Sequence, residues 1–261
     1  MTTSHTQLRS VAIPTEHGGW SLTLEPVVLG LLVGPSGTGL LLGTAALLAF
    51  IARAPLKLAL VDRLRGRHLE RTRLARRVAA VELSVLIALM TLAFAVAEHS
   101  FLWPLVLAAP LILIELWYDI RSRSRRLIPE LAGVVGVAAV AAAIVLAGGA
   151  GDRIAAGLWC VAAARAVAAI TFIRVQLRRA KSQPHTLWLN DGFQLLALGA
   201  VVMGWLADAI SFAGVTAIAA LALIHTVLVR LPVPATPILG AQQVVFGLAV
   251  VLTAGLGALA P

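Results

Sequence analysis

Cysteine, tyrosine and charge are all scarce in this sequence. The single cysteine, Cys160, lies in an apolar run, which excludes a disulfide framework and any thiolate cluster around a metal. Charged residues make up 13% of the 261 positions and hydrophobic ones 60%, against about 25% and 45–50% in soluble domains. That balance does not suit a water-soluble globule; it belongs in a membrane. The charge that is present is one-sided, 21 Lys and Arg against 12 Asp and Glu, for a net +9. In a soluble domain such an excess points to nucleic acid. The apolar runs here are too long for that, so no nucleic-acid partner is expected. The residues up to Trp20 lack the basic-then-apolar order of a cleavable leader, and the first apolar segment is expected to stay in the protein. No Gly-rich nucleotide loop, HExxH or GxSxG motif occurs.

Breaks of charge, glycine and proline divide the chain into nine stretches near the length of about 20 apolar residues that a spanning helix needs. They fall near 20–35, 38–56, 78–97, 101–118, 131–150, 154–174, 192–208, 211–230 and 238–260. The expected fold is an all-α polytopic membrane helix bundle of about nine spans, one transmembrane domain over 1–261. Basic residues collect after the second, fourth and sixth spans, and Arg9 and Arg230 fall on the same side if the spans alternate, with Arg153 almost alone opposite. Lys and Arg resist translocation, so the residues 1–19 are expected in the cytoplasm of a bacterium, the carboxyl terminus outside, and the protein in the inner membrane. The segments 57–77, 119–130 and 175–191 are expected to cap the cytoplasmic face, each continuing the helix before it.

Ionisable groups inside a span are costly and normally face a cavity or a partner. That rule selects Glu25, the i,i+4 pairs Arg53/Lys57 and Glu115/Asp119, Arg165 and His225. Arg165, mid-span, needs an internal counter-charge such as Glu25 or Glu115, or a bound anion. Glu16 and His17 precede Glu25, with Gly18 and Gly19 between; a carboxylate beside an imidazole can hold a divalent metal or move a proton, or Glu16 can cap the helix or pair with an arginine. Arg53, Lys57, Arg63, Arg121, Arg125, Arg174 and Arg178 gather at the ends of spans two, four and six. Their guanidinium groups suit bidentate bonds to phosphate, or contacts with anionic lipid headgroups. His225 is either a neutral histidine bonded to the next helix or a ligand or proton group. Gln242 and Gln243 can tie helices together or line a cavity.

The stretch IPTEHGGWSLTLEPVVLG (Ile13–Gly30), ARAPLK (Ala52–Lys57), the Arg-rich loop and FIRVQLRRAK (Phe172–Lys181) resembles the YwiC-like family of multi-pass bacterial membrane proteins. A second, architectural resemblance is to the UbiA superfamily of intramembrane prenyltransferases, carried by VDRLRGRHLERTR (Val61–Arg73) and WYDIRSRSRRLIPELAG (Trp117–Gly133). It implies nine helices around a cytoplasmic-side cavity, with Asp62 as a remnant of the first Asp-rich motif and Tyr118 in the loop after the fourth helix. Those enzymes bind a prenyl diphosphate through Mg²⁺ held by two Asp-rich motifs. Here only Asp62 of the first motif remains, and the second, near Ile173–Arg179, carries arginines and no carboxylate. One aspartate cannot hold an Mg²⁺ cluster, so Mg²⁺ is disfavoured and no metal ligands are assigned.

The expectation from all of this is a cavity opening to the cytoplasm. Glu16, His17, Glu25 and Asp62 would be its reactive groups, and Arg53, Lys57, Arg63, Tyr118, Arg121, Arg125, Arg165, Arg174 and Arg178 would bind an anion, with His225 and Gln242 alongside. The expected ligand is an amphiphilic anion, a phosphorylated isoprenoid or other anionic lipid, bound and, on the transferase reading, acted upon. A small-solute permease using Glu25, Arg165 and His225 is the alternative, and a membrane scaffold binding lipid is the third.

Overall fold

The computed structural model describes residues 17–67, 69–121 and 126–260. These residues form nine α-helices: α1 His17–Val33, α2 Gly37–Leu64, α3 Glu70–Val96, α4 Leu102–Ile120, α5 Leu127–Ala147, α6 Asp152–Ala180, α7 Leu187–Leu206, α8 Phe212–Leu228 and α9 Thr236–Leu259. Each matches one expected span, and among the described residues there is no strand. Seven helices are long and apolar enough to cross a membrane. The other two, α1 and α8, are apolar but have 17 residues each, about 25 Å of helix at 1.5 Å per residue.

The basic segments after the second and sixth spans begin as continuations of the helix before them, as expected, because nothing in them breaks a helix; the segment 119–130 does not, since α4 ends at Ile120. Arg and Leu are good helix formers, so α2 continues to Leu64 and α6 to Ala180, and α3 begins at Glu70 rather than near 78. What stops α2 is Gly66. It sits at φ +64°, a left-handed conformation open to glycine, and the turn closes with the Arg67 N–H donating to the Asp62 carbonyl at 2.8 Å. At the other end Ser36 caps α2, its hydroxyl oxygen accepting from the Gly39 N–H at 2.9 Å.

The centre of the bundle is α5 against α6, the two most buried of the spanning helices. Inside lipid, burying apolar surface gives helices little reason to associate; close packing of small residues does. α5 supplies that surface, with Ala138, Ala139, Ala141, Ala142 and Ala143 all buried. Helix α1 presses against it through glycines: a Cβ on Gly30 would meet Ile144 Cβ at 2.8 Å and the Ala141 carbonyl at 2.9 Å. α1 also touches α2, α6 and α9, so it joins the α2–α5 group to the α6–α9 group. In the second group Val161, Val201, Ile218, Leu221 and Val250 form a common core. By contrast α3 packs, among the described helices, on α2 alone, and turns Val81, Val85, Ile87 and Leu92 outward. In lipid those side chains need no cover.

The turns α2–α3, α4–α5, α6–α7 and α8–α9 carry the basic residues and share one end of the bundle. That end is called the basic face below.

Two substitutions separate tight from open glycines. Gly30→Leu drives a side chain into α5 and is expected to lower stability by about 1–3 kcal/mol. Gly199→Ala, within α7 where an added Cβ meets nothing within 4 Å, is expected to raise it by about 0.5–1 kcal/mol. Thermal unfolding in detergent checks both.

Candidate functional site: a buried arginine centre

Arg165 lies midway along the 29-residue α6 and is 2% exposed, the largest fully buried side chain among the described residues. Its Nη2 donates to Glu25 Oε1 of α1 at 3.0 Å and to the Gln243 carbonyl of α9 at 2.7 Å. Nη1 reaches Gln243 Oε1 at 3.4 Å. The Gln243 amide nitrogen then meets His225 Nε2 of α8 at 3.1 Å. The His225 ring is fully buried and stacks on Phe172 of α6, centroids 4.3 Å apart and 4° from parallel. Four helices thus share one polar chain, Glu25–Arg165–Gln243–His225, in an otherwise apolar interior.

The fit depends on a residue without a side chain. A Cβ at Gly247 of α9 would fall on the Glu25 carboxylate and within 2.6 Å of Arg165 Nη2, so the ion pair exists because position 247 is glycine. Not every donor is satisfied: Arg165 Nε and His225 Nδ1 are buried with no hydrogen-bond partner. Glu25 and Arg165 also line a void of ≈ 10 Å³, together with Leu22, Pro26, Val161 and Val250. That is room for about one water. Pro26 lies inside α1 and has no N–H for the Leu22 carbonyl.

Val161 is one turn before Arg165 on α6, and it lines a second space as well. This is a recess of ≈ 290 Å³ at the end of the bundle away from the basic face, between the start of α6, the α7–α8 turn and the end of α9, with Trp205, Asp208, Ser211 and Phe212 around it. Val161 therefore stands between the recess and the arginine.

The remaining predicted residues fall into separate groups rather than one chamber. Arg53 pairs with Glu115 at 2.7 Å and Asp119 at 2.8 Å, and Lys57 reaches Asp119 at 3.2 Å. The two i,i+4 pairs thus meet as a cross-link between α2 and α4, and Asp119 is fully buried. Gly133 of α5 leaves the space that the Glu115 carboxylate fills. Arg174 pairs with Glu130 at 2.8 Å. Asp62 is buried and accepts from the Thr72 hydroxyl at 2.6 Å, with Arg71 at 3.8 Å. Arg63 and Arg178 are exposed, Arg121 stacks over Trp117 at 3.6 Å, and Tyr118 is half-buried. Gln242 lies on another side of α9, and Gln243 is the glutamine that reaches Arg165. Glu16, Arg125 and the side chain of His17 lie outside the described residues. No group of three His, Cys, Asp or Glu side chains suited to a metal occurs among the described residues.

A family model described as YwiC-like protein matches residues 13–145, about half of the chain. The chain belongs to the YwiC-like family. No curated protein and no solved structure matches it. The YwiC-like match takes in α1 to α5, and so Glu25 and the Arg53–Glu115–Asp119 cross-link. Arg165, His225, Gln243 and Gly247, the other half of the buried centre, lie beyond it.

Removing one partner of a buried pair leaves a stranded charge, at a cost of about 3–5 kcal/mol. Glu25→Gln is therefore expected to lower the unfolding temperature sharply, and Arg165→Met added to it to restore most of the loss. Gly247→Ala, which forces the pair apart, is expected to cost about 1–3 kcal/mol. Unfolding of the four proteins in one detergent measures all of these.

Proposed function

We propose that this chain is a carrier for a small anionic solute in the bacterial cytoplasmic membrane, with its basic face inward. The observation that carries the reading is Arg165: a buried guanidinium held by a single carboxylate, with Nε unpartnered, beside a void for one water. A guanidinium presents donors in a planar fork suited to carboxylate or phosphate oxygens. Glu25 occupies part of that fork when no solute is there, and an arriving anion competes with it. A buried cation of this kind marks a solute or ion path by default.

The two spaces suit an occluded state. The site is closed around Arg165, and the ≈ 290 Å³ recess on the far face stops at Val161. Asp208 at the recess favours solutes whose negative charge is accompanied by a positive one, so a zwitterionic amino acid belongs among the candidates. The inward orientation of the basic face rests on the segregation of Lys and Arg.

An amphiphile-binding protein, with prenyl transfer as its sharpest form, needs a chamber for a chain. The space that Glu25 and Arg165 line is ≈ 10 Å³, and Asp62 is engaged by Thr72. The solute reading asks less of this geometry.

The test is uptake of radiolabelled acetate, lactate, phosphate and glycine into proteoliposomes. Wild type is expected to accumulate at least one of them. The Glu25→Gln/Arg165→Met double variant, built to keep its fold, is expected to lose more than tenfold of that rate, while exposed Arg73→Gln keeps it. No uptake of any of the four, or equal uptake by the double variant, contradicts the carrier reading and turns attention to lipid that co-purifies with the protein.

A further inference from the structure

Glu82 of α3 stands apart from every ion pair described above. It lies five residues past Arg77, about 8 Å further along the helix, and three residues past Ala79 of the buried stripe Thr72, Ala75, Ala79; the residue itself is half-buried. Its Oε2 is buried and has no hydrogen-bond partner. Among the described helices α3 packs on α2 alone. The charged groups of α2 are engaged elsewhere: Arg53 and Lys57 hold Asp119 and Glu115, and Asp62 accepts from Thr72. Arg63 is exposed at the helix end.

We propose that Glu82 is a proton-binding site within the membrane, at the seam of the α2–α3 hairpin and independent of the Arg165 centre. An ionised carboxylate with one oxygen buried and no donor to it is costly within a membrane. Protonation removes that charge and supplies an O–H that needs one acceptor. The opposite helix has one to offer. Asp62 with Thr72, and Ala59 with Ala75, fix the antiparallel register of α2 and α3, and counting on from them puts Glu82 level with Ala52. Ile51 is next to it, and its carbonyl lacks the usual helical donor because Pro55, four residues on, has no N–H. Loss of the proton leaves an unpartnered carboxylate oxygen in the seam that holds α3 to α2. Proton binding therefore tightens the hairpin, and release loosens it.

Dicyclohexylcarbodiimide, an apolar reagent that enters lipid, tests the site directly. Its nitrogen takes the carboxyl proton and its central carbon takes the carboxyl oxygen; the O-acylisourea then rearranges to a stable N-acylurea, with no atom lost. Reaction therefore needs the protonated acid. In membranes holding the full chain, the adduct is expected on Glu82 at pH 6 and to form at least tenfold more slowly at pH 9, read by mass spectrometry of the peptide. It is expected to be absent from Glu82→Gln, an uncharged variant of the same shape that should melt with wild type. It is expected unchanged in the Glu25→Gln/Arg165→Met protein, which keeps this result separate from the carrier assay. No adduct on Glu82 at pH 6, or the same rate at both pH values, overturns the proposal.

Discussion

A guanidinium inside an apolar bundle has to be neutralised by something within reach, and at Arg165 that requirement organises four helices. α6 brings the charge, α1 the carboxylate of Glu25, α9 the carbonyl and side chain of Gln243, and α8 the ring of His225. Each is placed by ordinary packing. α1 can approach α5 and α6 because Gly30 faces the alanines of α5, and α9 can approach the pair because Gly247 has no side chain. The same small residues that hold helices together in lipid, where there is little hydrophobic force to do so, also leave the space in which the polar chain sits. Stability and site share one set of contacts.

The other ion pairs have a simpler part. Arg53 and Lys57 with Glu115 and Asp119, and Arg174 with Glu130, join neighbouring helices near the basic face. They use up cations that the sequence offers for phosphate. Arg165 differs in its burial and its unpartnered Nε. Those two features together make it the candidate for a ligand.

Much of the fold is legible in the sequence, since a span is an apolar run between charges and the nine runs became nine helices. The helix ends were less so. Charge marks where the membrane stops and not where the helix does, so α3 begins eight residues early and α4 stops at Ile120 instead of continuing into the segment 119–130. That Arg165 needed a counter-charge was also legible. Which carboxylate serves was not, because Glu115 and Glu25 are equal candidates until packing turns Glu115 towards Arg53. The expectation that ten or more polar residues would gather in one cavity failed for a related reason. Sequence shows that these groups share one face of the membrane, but the rotation of each helix decides which of them meet, and they meet in separate pairs. Gly247 carries no signal at all until the structure shows what fills its missing side chain. Glu82 was available by the same rule that selects Glu25, as a carboxylate within the span near 78–97.

The central claim is that the place of Glu25 on Arg165 can be taken by a free anion. Chemical rescue measures this. Glu25→Ala removes the carboxylate and leaves room beside the guanidinium, so formate or acetate at tens of millimolar is expected to raise the unfolding temperature of this variant by several degrees, while leaving wild type unmoved at the same ionic strength. If chloride, formate and acetate leave the variant equally destabilised, Arg165 is sealed from solutes, and its pair with Glu25 is a structural tie and not a binding site.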